Sequence, residues 1–172
     1  MSGAAPARLP PAALRRRLAA MVYEGVLLFG VVMAAGWIYA VLMQQRHALQ
    51  GKLGLQVFLF VVLAAYFIWA WTHGGQTLAM KTWRIRLVGV DGRPPSFPRA
   101  CARFLLAWLW FVPALLISHL AGLQGAWPIS VVLLGGVLTY ATASRLHPDR
   151  QFPHDALCGT RLVDTGGSTA PR

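Results

Sequence analysis

Arg15-Arg16-Arg17-Leu18-Ala19-Ala20-Met21-Val22-Tyr23-Glu24 decides the class of this protein. Three arginines stand at the mouth of a long apolar run, and a single carboxylate follows two turns inside it. Positions seven apart share a helix face, so Arg17 and Glu24 look the same way. They lie about 10 Å apart along a helix axis rising 1.5 Å per residue. Of the chain's 5 acidic residues, only Glu24 falls inside a long apolar segment. An ionisable group there costs roughly 2.5–3.5 kcal/mol on insertion scales, which marks it as a candidate functional group.

The composition fits that reading. Of 172 residues, 56% are hydrophobic and 12% charged, against about 25% charged in a soluble domain. Sixteen Lys and Arg give a net charge of +11. The length suits one domain of several membrane helices, not a bundle plus a second folded domain. The bases flank apolar runs instead of forming one face of a soluble fold. They therefore read as membrane-topology signals and not as a nucleic-acid footprint. Cys101 and Cys158 have no CxxC or Cys/His ligand spacing, so neither a disulfide framework nor a zinc site is indicated. The run over 18–43 is too long for a signal-peptide core and lacks an Ala-x-Ala cleavage site, so it reads as a retained helix.

Outward from that stretch, 1–14 is rich in Ala and Pro and predicts a disordered cytoplasmic tail. A transmembrane domain over 15–163 follows, then a flexible tail over 164–172. Apolar runs predict four membrane helices, at about 16–43, 55–71, 104–123 and 127–143. The expected fold is all-α and integral to the membrane: a four-helix transmembrane bundle with a basic cytoplasmic loop. Gly25, Gly30 and Gly36 predict a close-packed helix face. Tyr66, Trp69 and Trp71 read as an interfacial aromatic belt. Gly74 and Gly75 supply a left-handed helix stop. The loop over 75–103 carries Lys81, Arg84, Arg86, Arg93, Arg99 and Arg103 against Asp91 alone. Alternation over 83–90 and the turn signal Asp91-Gly92 predict a short β-hairpin, although Pro94 and Pro95 oppose a regular second strand. Pro113 predicts a kink in the third run. The third and fourth runs are short and also fit a re-entrant hairpin; two crossings are the preferred reading.

With the N-terminus inside and four crossings, the inner side holds Arg8, Arg15, Arg16, Arg17, the loop bases, Arg145, Arg150, Arg161 and Arg172. The outer side holds only Arg46 and Lys52. The positive-inside bias predicts a multi-pass bacterial inner-membrane protein with both termini cytoplasmic.

Three blocks resemble the RDD-domain family of small integral membrane proteins, named for one Arg and two Asp. They are Arg17-Leu18-Ala19-Ala20 with Tyr23-Glu24; 71–81 (WTHGGQTLAMK) with Val90-Asp91-Gly92 and Arg103; and 154–161 (HDALCGTR). The resemblance spans 16–163. It implies that Arg17 is the family arginine and Asp155 the second aspartate. Glu24 stands where the first aspartate is expected, which keeps the charge but moves it one methylene outward. Some members are described as cation/proton antiporters, so the resemblance implies a transport function.

Two readings of the site stay open. Arg17, Glu24 and Asp155 form an ion or proton site, with Glu24 exchanging a proton for a small cation. Alternatively they form a structural latch, with Arg103, Arg161, Thr77 and Thr160 as partners, in a non-catalytic accessory or assembly protein. Arg17 also reads as an anchor to lipid phosphate. Asp155 reads as a helix cap or as the partner of a loop arginine, and His154-Asp155 as a proton relay. Arg84, Arg86, Arg93 and Arg99 suit anionic lipid headgroups, at roughly 1 kcal/mol each. His47, His73, His119 and His147 share no metal-ligand spacing, and no cofactor motif or nucleophile–base constellation marks an enzyme. The expected partner is the anionic bilayer. A homo-oligomer is needed if four helices are to enclose a pathway; in the accessory reading the basic loop docks a partner or lipid, and the sequence does not name that protein partner.

Overall fold

The computed structural model describes residues 9–44, 52–146 and 151–166, without the side chains of residues 143, 145 and 146. Arg8, Arg46, His47, His147, Arg150 and Arg172 lie outside the described residues, and so do most of the two expected tails.

Helix α1 spans Leu14–Leu42 and α2 Lys52–Gly74. A short helix α3, Leu78–Thr82, leads into strand β1, Ile85–Gly89. Helix α4, Phe97–Ala107, runs through a 3-10 turn at Trp108–Trp110 into α5, Val112–Leu120. Helix α6, Ala126–Leu146, is followed by the short α7, Pro153–Leu157, and strand β2, Thr160–Asp164. Three stretches are long and apolar enough to cross a membrane: Leu14–Leu42, Lys52–Gly74 and Phe97–Leu120. The apolar part of α6, Ala126–Thr142, is shorter. Among the described residues there are thus three candidate spans and one shorter apolar helix.

The helix boundaries have local causes. Gly75 ends α2 at φ +68°, and its N–H donates to Trp71 O at 3.0 Å. A Cβ there would collide with the backbone oxygen of Leu87, so the stop predicted at Gly74-Gly75 needs glycine on two counts. Pro98 sits in the first turn of α4, where a missing N–H costs nothing. The third helical stretch therefore begins at Phe97 and not near 104, and Arg99 and Arg103 lie on a helix instead of a loop. Pro113 occupies the first turn of α5 just after the 3-10 turn. A proline cannot donate to the carbonyl four residues back, which accounts for the break.

Two sequence expectations change. The predicted hairpin within the loop does not form. Its turn is present, with Gly89 N–H donating to Arg93 O at 2.8 Å. β1 pairs instead with the distant β2, antiparallel, with Leu87 opposite Leu162. Pro94 and Pro95 deny β1 a local partner, and the 160–164 segment supplies the missing ladder. The tail boundary at residue 14 also shifts. Pro11 bridges to Val163, Ala12 N–H donates to Leu162 O, and Asp164 N–H donates to Pro10 O. Proline is tolerated at such a sheet edge. Arg16 Nη1 bonds Asp164 Oδ2 at 2.7 Å and fixes the start of α1 to the same strand.

The core sits at this sheet end. Trp71, Met80, Ile85, Leu87, Phe104, Trp110, Phe152 and Leu162 are buried together. Farther along the helices, side chains such as Val26, Phe29 and Leu138 are exposed, as lipid-facing positions are. Close approaches between helices occur at Gly136, where an added Cβ would lie 2.9 Å from Ala114 Cβ of α5, and at Gly54 of α2, where it would collide with Tyr39 of α1. Gly25, Gly30 and Gly36 have nothing within 4 Å of an added Cβ. Among the described residues, the packing predicted on α1 is therefore not made at these three glycines.

Candidate functional site

The site residues predicted from sequence all lie at the sheet end, but they separate into two stations. At the first, Glu24 is 8% exposed. Its Oε1 accepts from Tyr66 Oη of α2 at 2.6 Å, and its Oε2 accepts from Thr77 Oγ1. Thr77 is also the N-cap of α3, where its hydroxyl accepts from Met80 N–H at 3.2 Å. One hydroxyl donates once and accepts through its lone pairs, so both bonds coexist. Glu24 makes no ion pair among the described residues: both bonds come from neutral hydroxyls, and they tie α1 to α2 and α3.

At the second station Asp155 is fully buried. Its Oδ1 accepts from Arg103 Nε of α4 at 2.7 Å. The Arg103 guanidinium also lies over the Trp71 ring, 4.2 Å from its centroid. Thr160 Oγ1 approaches Asp155 O at 3.2 Å and Oδ1 at 3.3 Å. His154 Nε2 is 3.5 Å from the same carboxylate oxygen. His154 Nδ1 is 3.0 Å from Tyr140 Oη of α6, and that oxygen also accepts from the His154 backbone N–H at 3.1 Å. The Asp155 carboxylate oxygen beside Nε2 favours the histidine hydrogen on that nitrogen, which leaves Nδ1 to accept from Tyr140. Burial holds His154 well below its ordinary pKa, at about 4; the Asp155 charge opposes this shift and Arg103 adds to it. The imidazole is therefore neutral near pH 7. Burial also raises the Cys158 thiol above its usual range, so it is not an activated nucleophile.

Arg17 joins neither carboxylate by a hydrogen bond. Its Nε donates to Ala12 O at 2.7 Å and its guanidinium lies over Phe152, 5.1 Å from the ring centroid. It is 5% exposed, and Nη1 has no hydrogen-bond partner among the described residues. Of the expected partners, Arg103 reaches Asp155, Thr77 reaches Glu24 and Thr160 reaches Asp155. Arg161 reaches none of them, and its buried Nε has no partner among the described residues. Arg84, Arg86, Arg93 and Arg99 are exposed. Tyr66 and Tyr140 are site residues that the sequence reading assigns to a belt or passes over. Nothing local distinguishes a belt tyrosine from a donor to a buried acid.

Between the stations lies a cavity of about 420 Å³. Arg17, Glu24, Thr77, Arg103 and His154 line it at the sheet end, and apolar and aromatic side chains, chiefly of α1, α2, α4 and the 3-10 turn, line the rest. Among the described residues no group of three or more His, Cys, Asp or Glu is placed to hold a metal ion.

Long apolar helices, lipid-like exposure along their middles and charged groups buried at one end define a helical membrane protein. The chain belongs to the RDD family, whose family model matches residues 11–159. No curated protein and no solved structure matches it.

Proposed function

We propose that this chain is a multi-pass inner-membrane accessory or assembly protein without catalytic activity, in which Glu24 and Asp155 are structural latches. One observation carries the reading: both carboxylates are engaged by side chains from other elements, Glu24 by Tyr66 and Thr77, Asp155 by Arg103 and Thr160. Such bonds lock helices together and occupy both oxygens of Glu24 with donors from α2 and the start of α3. Arg15, Arg84, Arg86, Arg93 and Arg99, which make no ion pair among the described residues, add positive charge that repels small cations. The same bases suit an anionic, cytoplasmic leaflet.

The sheet supports a topology of four crossings. β1 and β2 are hydrogen-bonded and Pro11 bridges to Val163, so all three lie on one side of a membrane. The chain between Pro11 and β1 must return to the side it left, and so must the chain between β1 and β2. α1 and α2 satisfy the first condition as a pair. Phe97–Leu120 is long enough to cross; with that crossing, α6 brings the chain back.

A second reading, small-cation/proton exchange at Glu24, is favoured by one observation. Glu24 is buried, lines the cavity and has no cationic partner among the described residues. This reading requires a homo-oligomer, since four helices barely enclose a pathway. The deciding experiment compares wild type with Glu24→Gln in proteoliposomes under a pH gradient, adding Na⁺, K⁺ or Li⁺ outside. The latch reading expects no cation-dependent dissipation in either, and a lower unfolding temperature for the variant. Dissipation by wild type that the variant loses would establish exchange instead.

A further inference from the structure

We propose that the cavity binds one anionic phospholipid, with an acyl chain inside it and the headgroup phosphate on Arg17. The cavity follows α1 from Arg17 to Leu28. Those twelve residues span about 16 Å of helix axis. That is close to half of a hydrocarbon core of roughly 30 Å, the depth of a single leaflet. Its volume of about 420 Å³ falls within the range of roughly 300–1,000 Å³ typical of small-molecule sites. Beyond the polar end the walls are apolar: Leu28, Leu63, Phe67, Phe104 and Trp108 offer a chain no hydrogen bonds and a large contact surface.

The headgroup is assigned from Arg17. This side chain is 95% buried, and its Nε and ring face are used by Ala12 and Phe152. Nη1 has no partner among the described residues, yet the side chain lines the cavity. A buried donor left unmade is costly, and native structures rarely leave one. A guanidinium edge matches phosphate oxygens in charge and geometry. Exposed Arg15, two residues earlier in the first turn of α1, adds positive charge at the same end. Gly25 lines the cavity and is exposed, so the cavity opens toward the lipid-facing side of α1. A two-chain lipid can therefore enter with one chain and leave the other in the bilayer. The inference holds under either reading of Glu24, because lipid retention and cation flux are separate measurements.

The test places full-length protein in nanodiscs of equal parts phosphatidylglycerol and phosphatidylcholine. It is then released into mild detergent, and the retained lipid is identified by native mass spectrometry. Wild type is expected to keep one phosphatidylglycerol, favoured over phosphatidylcholine by about tenfold: both lipids offer the phosphate, but the choline cation is repelled by Arg17 and Arg15 at the same end. Arg17→Gln removes that preference. Because Arg17 also holds Ala12, a second variant leaves every polar group intact. Gly25→Phe puts a ring at the cavity mouth, where an added Cβ meets nothing within 4 Å. It is expected to lose the lipid while keeping the wild-type unfolding temperature. Wild type that retains no lipid, keeps both lipids equally, or holds phosphatidylglycerol as firmly when Gly25 is Phe would overturn the assignment. A single-chain fatty acid recovered in place of the phospholipid would overturn it as well.

Discussion

Glu24 and Asp155 are buried carboxylates at the same end of one small protein, yet they are held by opposite means. Glu24 takes two neutral hydroxyls and has no cationic partner among the described residues. Asp155 takes a guanidinium at 2.7 Å, with a histidine alongside at 3.5 Å. The contrast shows what each tolerates. A carboxylate held by hydroxyls keeps most of its bonds when it is neutralised. A carboxylate paired to a buried arginine cannot lose either partner without stranding the other's charge.

The largest effect is therefore expected at the second station. Arg103→Gln should lower stability by about 3–5 kcal/mol, because it leaves Asp155 charged and unpaired. Thermal unfolding in detergent reads this loss. The double change Arg103→Met with Asp155→Leu should recover most of it, since removing both charges is far cheaper than removing one. A double variant as unstable as the single would break the comparison.

Next comes pH. His154 has a folded pKa of about 4, below the roughly 6.5 of an unfolded histidine. Between those values the unfolded chain binds the extra proton, so stability rises with pH across that window. It is fully present above pH 6.5 and lost as pH falls toward 4, on the order of 3 kcal/mol in total. His154→Phe should flatten this slope. A slope that survives the substitution would assign the pH response to another group.

At the first station the effects are smaller. Tyr66→Phe removes one charge-directed hydrogen bond and should cost about 1.5–3 kcal/mol. Glu24→Gln should cost about 1 kcal/mol, since an amide oxygen still accepts from one hydroxyl. A larger loss for Glu24→Gln than for Arg103→Gln would reverse the order of the stations. The two threonines give the finest comparison. Thr77→Val loses both a helix cap and a bond to Glu24 and should cost about 2 kcal/mol. Thr160→Val loses only long contacts to Asp155 and should cost about 0.5 kcal/mol.

The helices were legible because apolar length and flanking charge are local signals, and Glu24 was legible because it interrupts one of them. Grouping Arg17, Glu24 and Asp155 at one end also followed from the distribution of charge. Their separation did not. Seven-residue spacing puts Arg17 and Glu24 on one helix face, but the arginine turns to Ala12 and Phe152, and neither lies on the helix whose periodicity was read. Tyr66 looks like any interfacial tyrosine until α1 packs beside α2. Strand β1 was visible in its alternation. Its partner was not, because a ladder closed across four helices leaves no mark near either strand. Thr160 to Asp164 has the length of a strand, but a polar residue at either end and an arginine between hide it in a basic tail.

That ladder also sets an order of events during synthesis. Gly89 is polymerised 75 residues before Asp164, an interval of about 4–15 s at 5–20 residues per second. Throughout it β1 has an open edge, while α4, α5 and α6 must find their places. The pairing forms only if both strands emerge in the same compartment. Closure of two five-residue strands thus works as a proofreading step: a chain whose last helices insert wrongly keeps an unpaired edge, the feature by which misassembled chains aggregate.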